Sequence, residues 1–85
     1  MKYNIVFTKS AQKDIQKLDE LVKVRIRKKI EYFIKHENPL QFATTLVDSE
    51  IGAYRWRVGL YRIVFDVENN CIIVLRIRHR RDVYK

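Results

Sequence analysis

The segment Tyr54–Val58 alternates strictly between apolar and cationic side chains, in the order YRWRV. Successive side chains of a β-strand point to opposite faces of the sheet, so this alternation is typical of a strand with one buried and one solvated face. The pattern resumes after a two-residue gap and places Arg62 on the cationic face with Arg55 and Arg57. We therefore expect a sheet that exposes these three arginines on one face. The apolar face should carry Tyr54, Trp56, Val58, Ile63 and Phe65.

The spacing of apolar residues along the whole chain predicts an α+β fold in the order β-α-α-β-β-β, as a single domain over residues 1–85. The predicted strands are 3–7, 53–58, 61–67 and 71–78, and the predicted helices are 9–18, with Thr8 as N-cap, and 22–34. Short connections between the last three strands predict an antiparallel meander. The first strand should join the same sheet, and the helices should form an antiparallel hairpin over its apolar face.

The second helix has a competing interpretation, because residues 22–27 also alternate like a strand. The apolar spacing of four continues to Ile34, and Asn38-Pro39 is a natural end for a helix, so we prefer the helix. Residues 39–50 have no clear period. We expect them to form a connection with a short turn of helix.

The charge balance indicates an anionic partner. Lys and Arg number 18 against 10 Asp and Glu, a formal net charge of +8, and seven of the nine arginines follow residue 54. The planar guanidinium matches phosphate, so this concentration favours phosphate recognition. Composition alone fits a solubilising surface about equally well. Alternatively, each arginine could pair with an acid, and Asp66, on the Arg62 face, is the first candidate.

The C-terminal segment 79–84, HRRDVY, adds candidate reactive groups. His79 stands among arginines and can act as a base near neutral pH, and Tyr84 ends the segment. Beside a phosphate-binding face, such groups suggest RNA cleavage by in-line attack of a 2′-hydroxyl on the adjacent phosphorus, with guanidiniums stabilising the developing charge. The alternative is a basic arm with a terminal aromatic ring and no catalysis.

Other classes of site lack the residues that they require. His36, His79 and Cys71 have no familiar metal-ligand spacing, so we expect neither a metal nor a cofactor. Two glycines are too few for a glycine-rich phosphate loop, and neither serine lies in a hydrolase elbow. No apolar run reaches transmembrane length and the N-terminus lacks a signal peptide, so we expect a cytoplasmic protein with no membrane partner.

The sequence resembles the RelE/ParE superfamily of bacterial and archaeal toxins from toxin–antitoxin pairs. The resemblance rests on the Tyr-x-Ile-x-Phe strand and on segments 11–18, 54–65, 74–77 and 79–84. It implies a RelE-type mRNA interferase, which cuts messenger RNA in the ribosomal A site and is silenced by a cognate antitoxin. The implied partners are an acidic antitoxin protein, the ribosome and mRNA, with a heterotetramer of toxin and antitoxin as an implied assembly.

In the RelE branch the functional positions are basic residues of the central strands and a C-terminal basic and aromatic pair. Together with the reactive groups of the C-terminal segment, these positions give five catalytic candidates: Arg57, Arg62, His79, Arg81 and Tyr84. The candidates for RNA binding are Arg55, Arg57, Arg78 and Arg80. Tail length varies in the superfamily, so Arg80 and Arg81 are alternatives for the basic member of the pair.

Two departures from the RelE pattern bear on mechanism. Arg55 and Arg57 stand where the best-known enzyme of this type has lysines, and arginine stays protonated and is a poor general base. Proton transfer would then fall to His79, to Tyr84 or to ribosomal groups. Arg78 stands where many relatives have glycine. ParE-type relatives share the fold but bind DNA gyrase without nuclease chemistry, so a gyrase-binding toxin is the alternative function.

Overall fold

The computed structural model describes residues 3–47 and 51–83, the last two of these by their backbone. The elements in chain order are β1 Asn4–Phe7, α1 Lys9–Gln16, α2 Glu20–Lys35, a 3-10 turn Pro39–Phe42, β2 Thr44–Thr45, β3 Tyr54–Val58, β4 Tyr61–Glu68, β5 Cys71–His79 and α3 Arg80–Val83. The predicted α+β fold is confirmed. The short elements β2 and α3 were not predicted. No helix in the described ranges is long and apolar enough to cross a membrane.

The start of α1 is fixed at Thr8, as the sequence predicts. The Thr8 hydroxyl oxygen accepts a hydrogen bond from the Ala11 N–H at 3.1 Å, which caps the helix. The same hydroxyl donates to the carbonyl oxygen of Leu75 in β5 at 3.1 Å. One side chain therefore both begins α1 and attaches it to the last strand.

The strands form one five-stranded sheet in the order β1-β5-β4-β3-β2. β1 runs parallel to β5, and the remaining neighbours are antiparallel, so the predicted meander and the joining of β1 to its sheet are confirmed. The β3–β4 turn has φ of 58° at Gly59, and the β4–β5 turn has φ of 51° at Asn69 and 61° at Asn70. Positive φ at these turn residues is typical of tight β-hairpins.

The core lies between the two helices, α1 and α2, and the apolar face of the sheet. Trp56 and Phe65 are fully buried, and their rings lie 4.2 Å apart. Phe33 of α2 packs on Trp56 at 4.9 Å, and the indole N–H of Trp56 donates to the Pro39 carbonyl oxygen at 3.2 Å. Aromatic packing and a satisfied indole N–H hold the central strands in one position. This position determines which side chains of these strands lie on the opposite face of the sheet. The core also contains Ala11, Ile26, Ile30, Val58, Ile63, Ile72, Val74 and Ile77.

Candidate nucleic-acid interface

A row of three arginines crosses the sheet on the face opposite the core. Arg57 of β3 pairs with Arg62 of β4, and Arg62 pairs in turn with Arg78 of β5. Directly opposed residues of antiparallel strands point to the same face, with Cβ atoms roughly 5 Å apart. We call Arg57, Arg62 and Arg78 the arginine row. Arg55 lies on the same face, because it pairs with Val64, which is two residues from Arg62 on β4.

The sequence correctly places Arg55, Arg57 and Arg62 on one face, but of the three expected to be exposed only Arg57 is. Arg55 is half-buried, and Arg62 is only 9% exposed. Arg62 lies on the central strand, between the other two members of the row. Its burial makes it part of the packed structure as well as part of the cationic surface.

The segment before β3 covers part of this face. A Cβ atom at Gly52 would lie 2.8 Å from Cδ1 of Leu75 and 2.9 Å from Cγ1 of Val64, so Gly52 rests directly on both side chains. The Ala53 N–H donates to the Asp66 carboxylate at 2.7 Å, which attaches the segment to β4. Asp66 therefore holds the segment that leads into β3. It forms no salt bridge with an arginine of the described residues.

A β-bulge in β5 decides which side chains join the face. Val64 pairs with Arg76, whereas Phe65 pairs with Val74, so the register shifts by one residue at Leu75. Without the shift, strict alternation could not place Val74 in the core and Arg76 and Arg78 on the arginine face. The sequence pattern alone did not predict this bulge.

Arg76 turns away from the row and binds Asp14 of α1. Its Nε and Nη2 atoms donate to the two Asp14 oxygens at 2.9 and 3.2 Å, and the Ile77 N–H donates to the same carboxylate at 2.9 Å. Burial by itself raises the pKa of Asp14. The hydrogen bonds from Arg76 and Ile77, with the charges of Arg76 and Arg78, outweigh this effect and lower the pKa below its ordinary value. The hydrogen bond to Asp14 raises the pKa of Arg76. Asp14 is a structurally important residue that the sequence analysis missed.

His79 lies on the core side of the sheet and not beside the arginine row. It pairs with Tyr61, and the two rings meet edge to face at 5.2 Å and 88°. The Arg81 N–H donates to Nδ1 of His79 at 3.1 Å. A neutral ring held in this way carries its proton on Nε2, which makes that nitrogen a hydrogen-bond donor.

The tail leaves the sheet at a fixed point. The Arg80 N–H donates to the Leu60 carbonyl oxygen at 2.7 Å, which attaches the start of α3 to the β3–β4 turn. Arg80 and Arg81 are both exposed. Tyr84 lies outside the described residues, so its proposed place in the site stays a prediction. Within the described residues, no three His, Cys, Asp or Glu side chains form a group that could hold a metal ion.

Residues 5–84 match the family described as the ParE toxin of the type II toxin–antitoxin system parDE. The chain belongs to this toxin family. It is 29% identical to toxin RelG of Mycobacterium tuberculosis over 89 residues, which cover 100% of this chain and 99% of RelG. It is 30% identical to toxin RelE3 of Methanocaldococcus jannaschii over 82 residues, which cover 94% of this chain and 93% of RelE3.

The fold of this ParE-family toxin is also found in a solved complex. A chain in the crystal structure of a RelB–RelE antitoxin–toxin complex from Methanococcus jannaschii matches it with a TM-score of 0.73 and 29% identity. The match covers 94% of this chain and 95% of that chain. The expected membership of the RelE/ParE superfamily is therefore confirmed.

Proposed function

We propose that this toxin is a metal-independent endoribonuclease of the RelE type, which cleaves mRNA in the ribosomal A site and so inhibits translation. The observation that carries the proposal is the arginine row across β3, β4 and β5. These guanidiniums concentrate positive charge on one face of the sheet, and a surface of this kind attracts a polyanion. The backbone of RNA supplies phosphates that guanidiniums can bind through paired hydrogen bonds.

The reaction that fits this surface is an intramolecular phosphoryl transfer within the RNA. The 2′-hydroxyl attacks the adjacent phosphorus, a 2′,3′-cyclic phosphate forms, and the bond to the 5′-oxygen of the next nucleotide breaks. The proton leaves the 2′-oxygen and another proton reaches the 5′-oxygen. Arg57 and Arg62 would stabilise the charge on the phosphoryl oxygens, and Arg55, Arg78 and Arg80 would hold flanking phosphates.

Proton transfer needs other groups, because arginine stays protonated. With Nδ1 accepting from the Arg81 N–H, neutral His79 can donate a hydrogen bond from Nε2 to a phosphoryl oxygen. It becomes a general acid only as the imidazolium, which needs a proton on Nδ1 and therefore the loss of that hydrogen bond. Arg81 keeps the His79 ring in this orientation through its backbone. The general base would then be Tyr84 or a ribosomal group.

An acidic antitoxin is the proposed silencing partner. The net charge of +8 favours an acidic chain, and the solved relative is a complex of toxin with antitoxin. Between α1, α2 and β1 lies a largely apolar groove of about 430 Å³, lined by Ile15, Leu18 and Val24 among others. We call this the α1–α2 groove. It would accept the apolar face of an antitoxin helix that folds on binding, while acidic side chains reach the arginine row.

A gyrase-binding toxin without nuclease activity is the second candidate, and the match to the ParE family favours it. The two candidates differ in what the purified protein does. A RelE-type enzyme cuts mRNA on translating ribosomes and leaves gyrase supercoiling unchanged. Intact ribosome-bound mRNA together with blocked supercoiling would establish the gyrase-binding alternative.

A further inference from the structure

A polar cleft of about 450 Å³ opens beside the last residues of β5. In the described ranges β1 pairs with residues 71–74 of β5, so the end of β5 lies at an edge of the sheet. The C-terminal end of α1 forms the other wall, with Lys17 among its lining residues. The volume lies in the range of small-ligand pockets and suits one nucleotide.

The cleft is positively charged. Its lining contains Lys17, Arg76 and Arg78 as cations and Asp14 as a carboxylate. Asp14 accepts both hydrogen bonds from Arg76, so these two charges compensate each other. Among the described side chains, neither Lys17 nor Arg78 forms a salt bridge. Two positive charges therefore face a cavity that is open to solvent.

Two aromatic rings lie beside these charges. Tyr61 and His79 line the cleft and contact each other edge to face at 5.2 Å. Cations next to aromatic rings are typical of sites for single-stranded nucleic acid, where the cations bind the backbone and the rings contact a base. An acidic peptide would use the cations but would have no need for the rings.

Arg78 connects the cleft to the arginine row. It is the direct cross-strand neighbour of Arg62, and it also lines the cleft. Its positive charge acts on the carboxylate of Asp14 across the edge of β5. An RNA chain that crosses the arginine row can therefore reach the cleft around this edge without leaving cationic surface.

The geometry points to this cleft as a subsite for one nucleotide that flanks the scissile phosphate, with its phosphate on Lys17 and Arg78 and its base against Tyr61 and His79. This inference rests on the proposed ribonuclease function and names the part of the substrate that the cleft binds. We define the cleft by Lys17, Tyr61, Arg78 and His79.

The experiment compares Lys17→Ala with Lys13→Ala, a matched control. Both lysines are exposed and lie near the end of α1, but Lys13 does not line the cleft. The affinity of the full chain for a short fluorescent 2′-O-methyl RNA, which cannot be cleaved, is measured across a series of salt concentrations. Log affinity falls as log salt rises, and each lost phosphate contact reduces the magnitude of this negative slope by about 0.7 for a single strand. Lys17→Ala should show this decrease and a several-fold weaker affinity, whereas Lys13→Ala should keep the wild-type slope.

A second measurement locates the RNA. RNA that contains 5-iodouridine, irradiated in the complex, should crosslink to the tryptic peptide 58–62, which contains Tyr61. Equal effects of Lys17→Ala and Lys13→Ala, or a loss of antitoxin affinity alone in Lys17→Ala, would overturn the inference. Because RNA binding is measured without the ribosome, such a result leaves the proposed function standing if Arg57→Ala still slows the cleavage of ribosome-bound mRNA.

Discussion

The carboxylate of Asp14 in α1 receives both hydrogen bonds of the Arg76 guanidinium in β5, at 2.9 and 3.2 Å. The Asp14 side chain is 12% exposed, and the Ile77 N–H of β5 donates to it as well. The carboxylate thus accepts a hydrogen bond from a backbone N–H in the part of β5 that extends beyond the pairing of β5 with β1. This contact attaches the first helix to the cationic end of the last strand.

Asp14→Asn should destabilise the fold by roughly 1.5–3 kcal/mol, because hydrogen bonds to a charged, mostly buried group are lost. The check is the free energy of unfolding in urea. Glu20→Gln is the matched control, since Glu20 forms the exposed salt bridge with Lys23 at 3.3 Å and is itself 85% exposed. Exposed pairs of this kind contribute little, so the control should unfold like the wild type. Equal unfolding curves for both variants would contradict the role of Asp14.

The same carboxylate predicts a pH dependence. Its pKa is lowered in the folded state from the ordinary 3.8, so the unfolded chain takes up the proton first as the pH falls. The stabilisation is therefore complete above the unfolded pKa and is lost as the pH falls through the folded pKa. Between about pH 5 and pH 2, the free energy of unfolding should fall more steeply for the wild type than for Asp14→Asn. If the free energy of unfolding falls with pH equally in the two proteins, Asp14 is not the source of this pH dependence.

Arg62→Ala should both lower stability and abolish activity, whereas Arg57→Ala should affect activity alone. The reason is the 9% exposure of Arg62, whose side-chain stem packs in the face, against the exposed position of Arg57. Thermal unfolding of the two purified variants measures the difference. Unchanged melting of Arg62→Ala would show that its burial contributes nothing to the fold.

Val24→Glu should weaken antitoxin binding by about tenfold or more, because a charge would be buried in the α1–α2 groove without a partner. Leu21→Glu is the control on the same helix, since Leu21 is 78% exposed and does not line the groove. Calorimetric titration of each variant with the antitoxin provides the comparison. Similar affinities for the two variants would place the antitoxin elsewhere on the toxin.

The sequence predicted the parts of the fold that depend on local patterns. The alternation in β3 determined which face holds Arg55 and Arg57, and Thr8 was identified as a helix cap from its position alone. The bulge at Leu75 was not predicted, because a one-residue register shift depends on how two strands pair and leaves no local signal. The contact of Asp14 with Arg76 joins residues that are 62 positions apart. The burial of Arg62 likewise depends on three-dimensional packing.

The two-residue strand β2 and the one-turn helix α3 were too short to give a periodic signal. For the site, the grouping of cations on one face followed from period-2 spacing. The placement of His79 on the other side of the sheet also follows from that spacing once β5 is known to extend to residue 79. The sequence analysis ended this strand one residue too early, and so it assigned His79 to the tail.

The cleavage of ribosome-bound mRNA by Arg57→Ala tests the central claim most directly. Arg57 is exposed and belongs to the arginine row. Arg25 of α2 is also exposed and lies outside the row, so Arg25→Ala is the matched control. Primer extension on stalled ribosomal complexes gives the single-turnover cleavage rate for each protein. The wild type and Arg25→Ala should cut at the same rate, and Arg57→Ala should be slower by about 10²-fold, the usual loss for one stabiliser of transition-state charge. Equal cleavage rates for the two variants, or intact mRNA with the wild-type protein, would contradict the account.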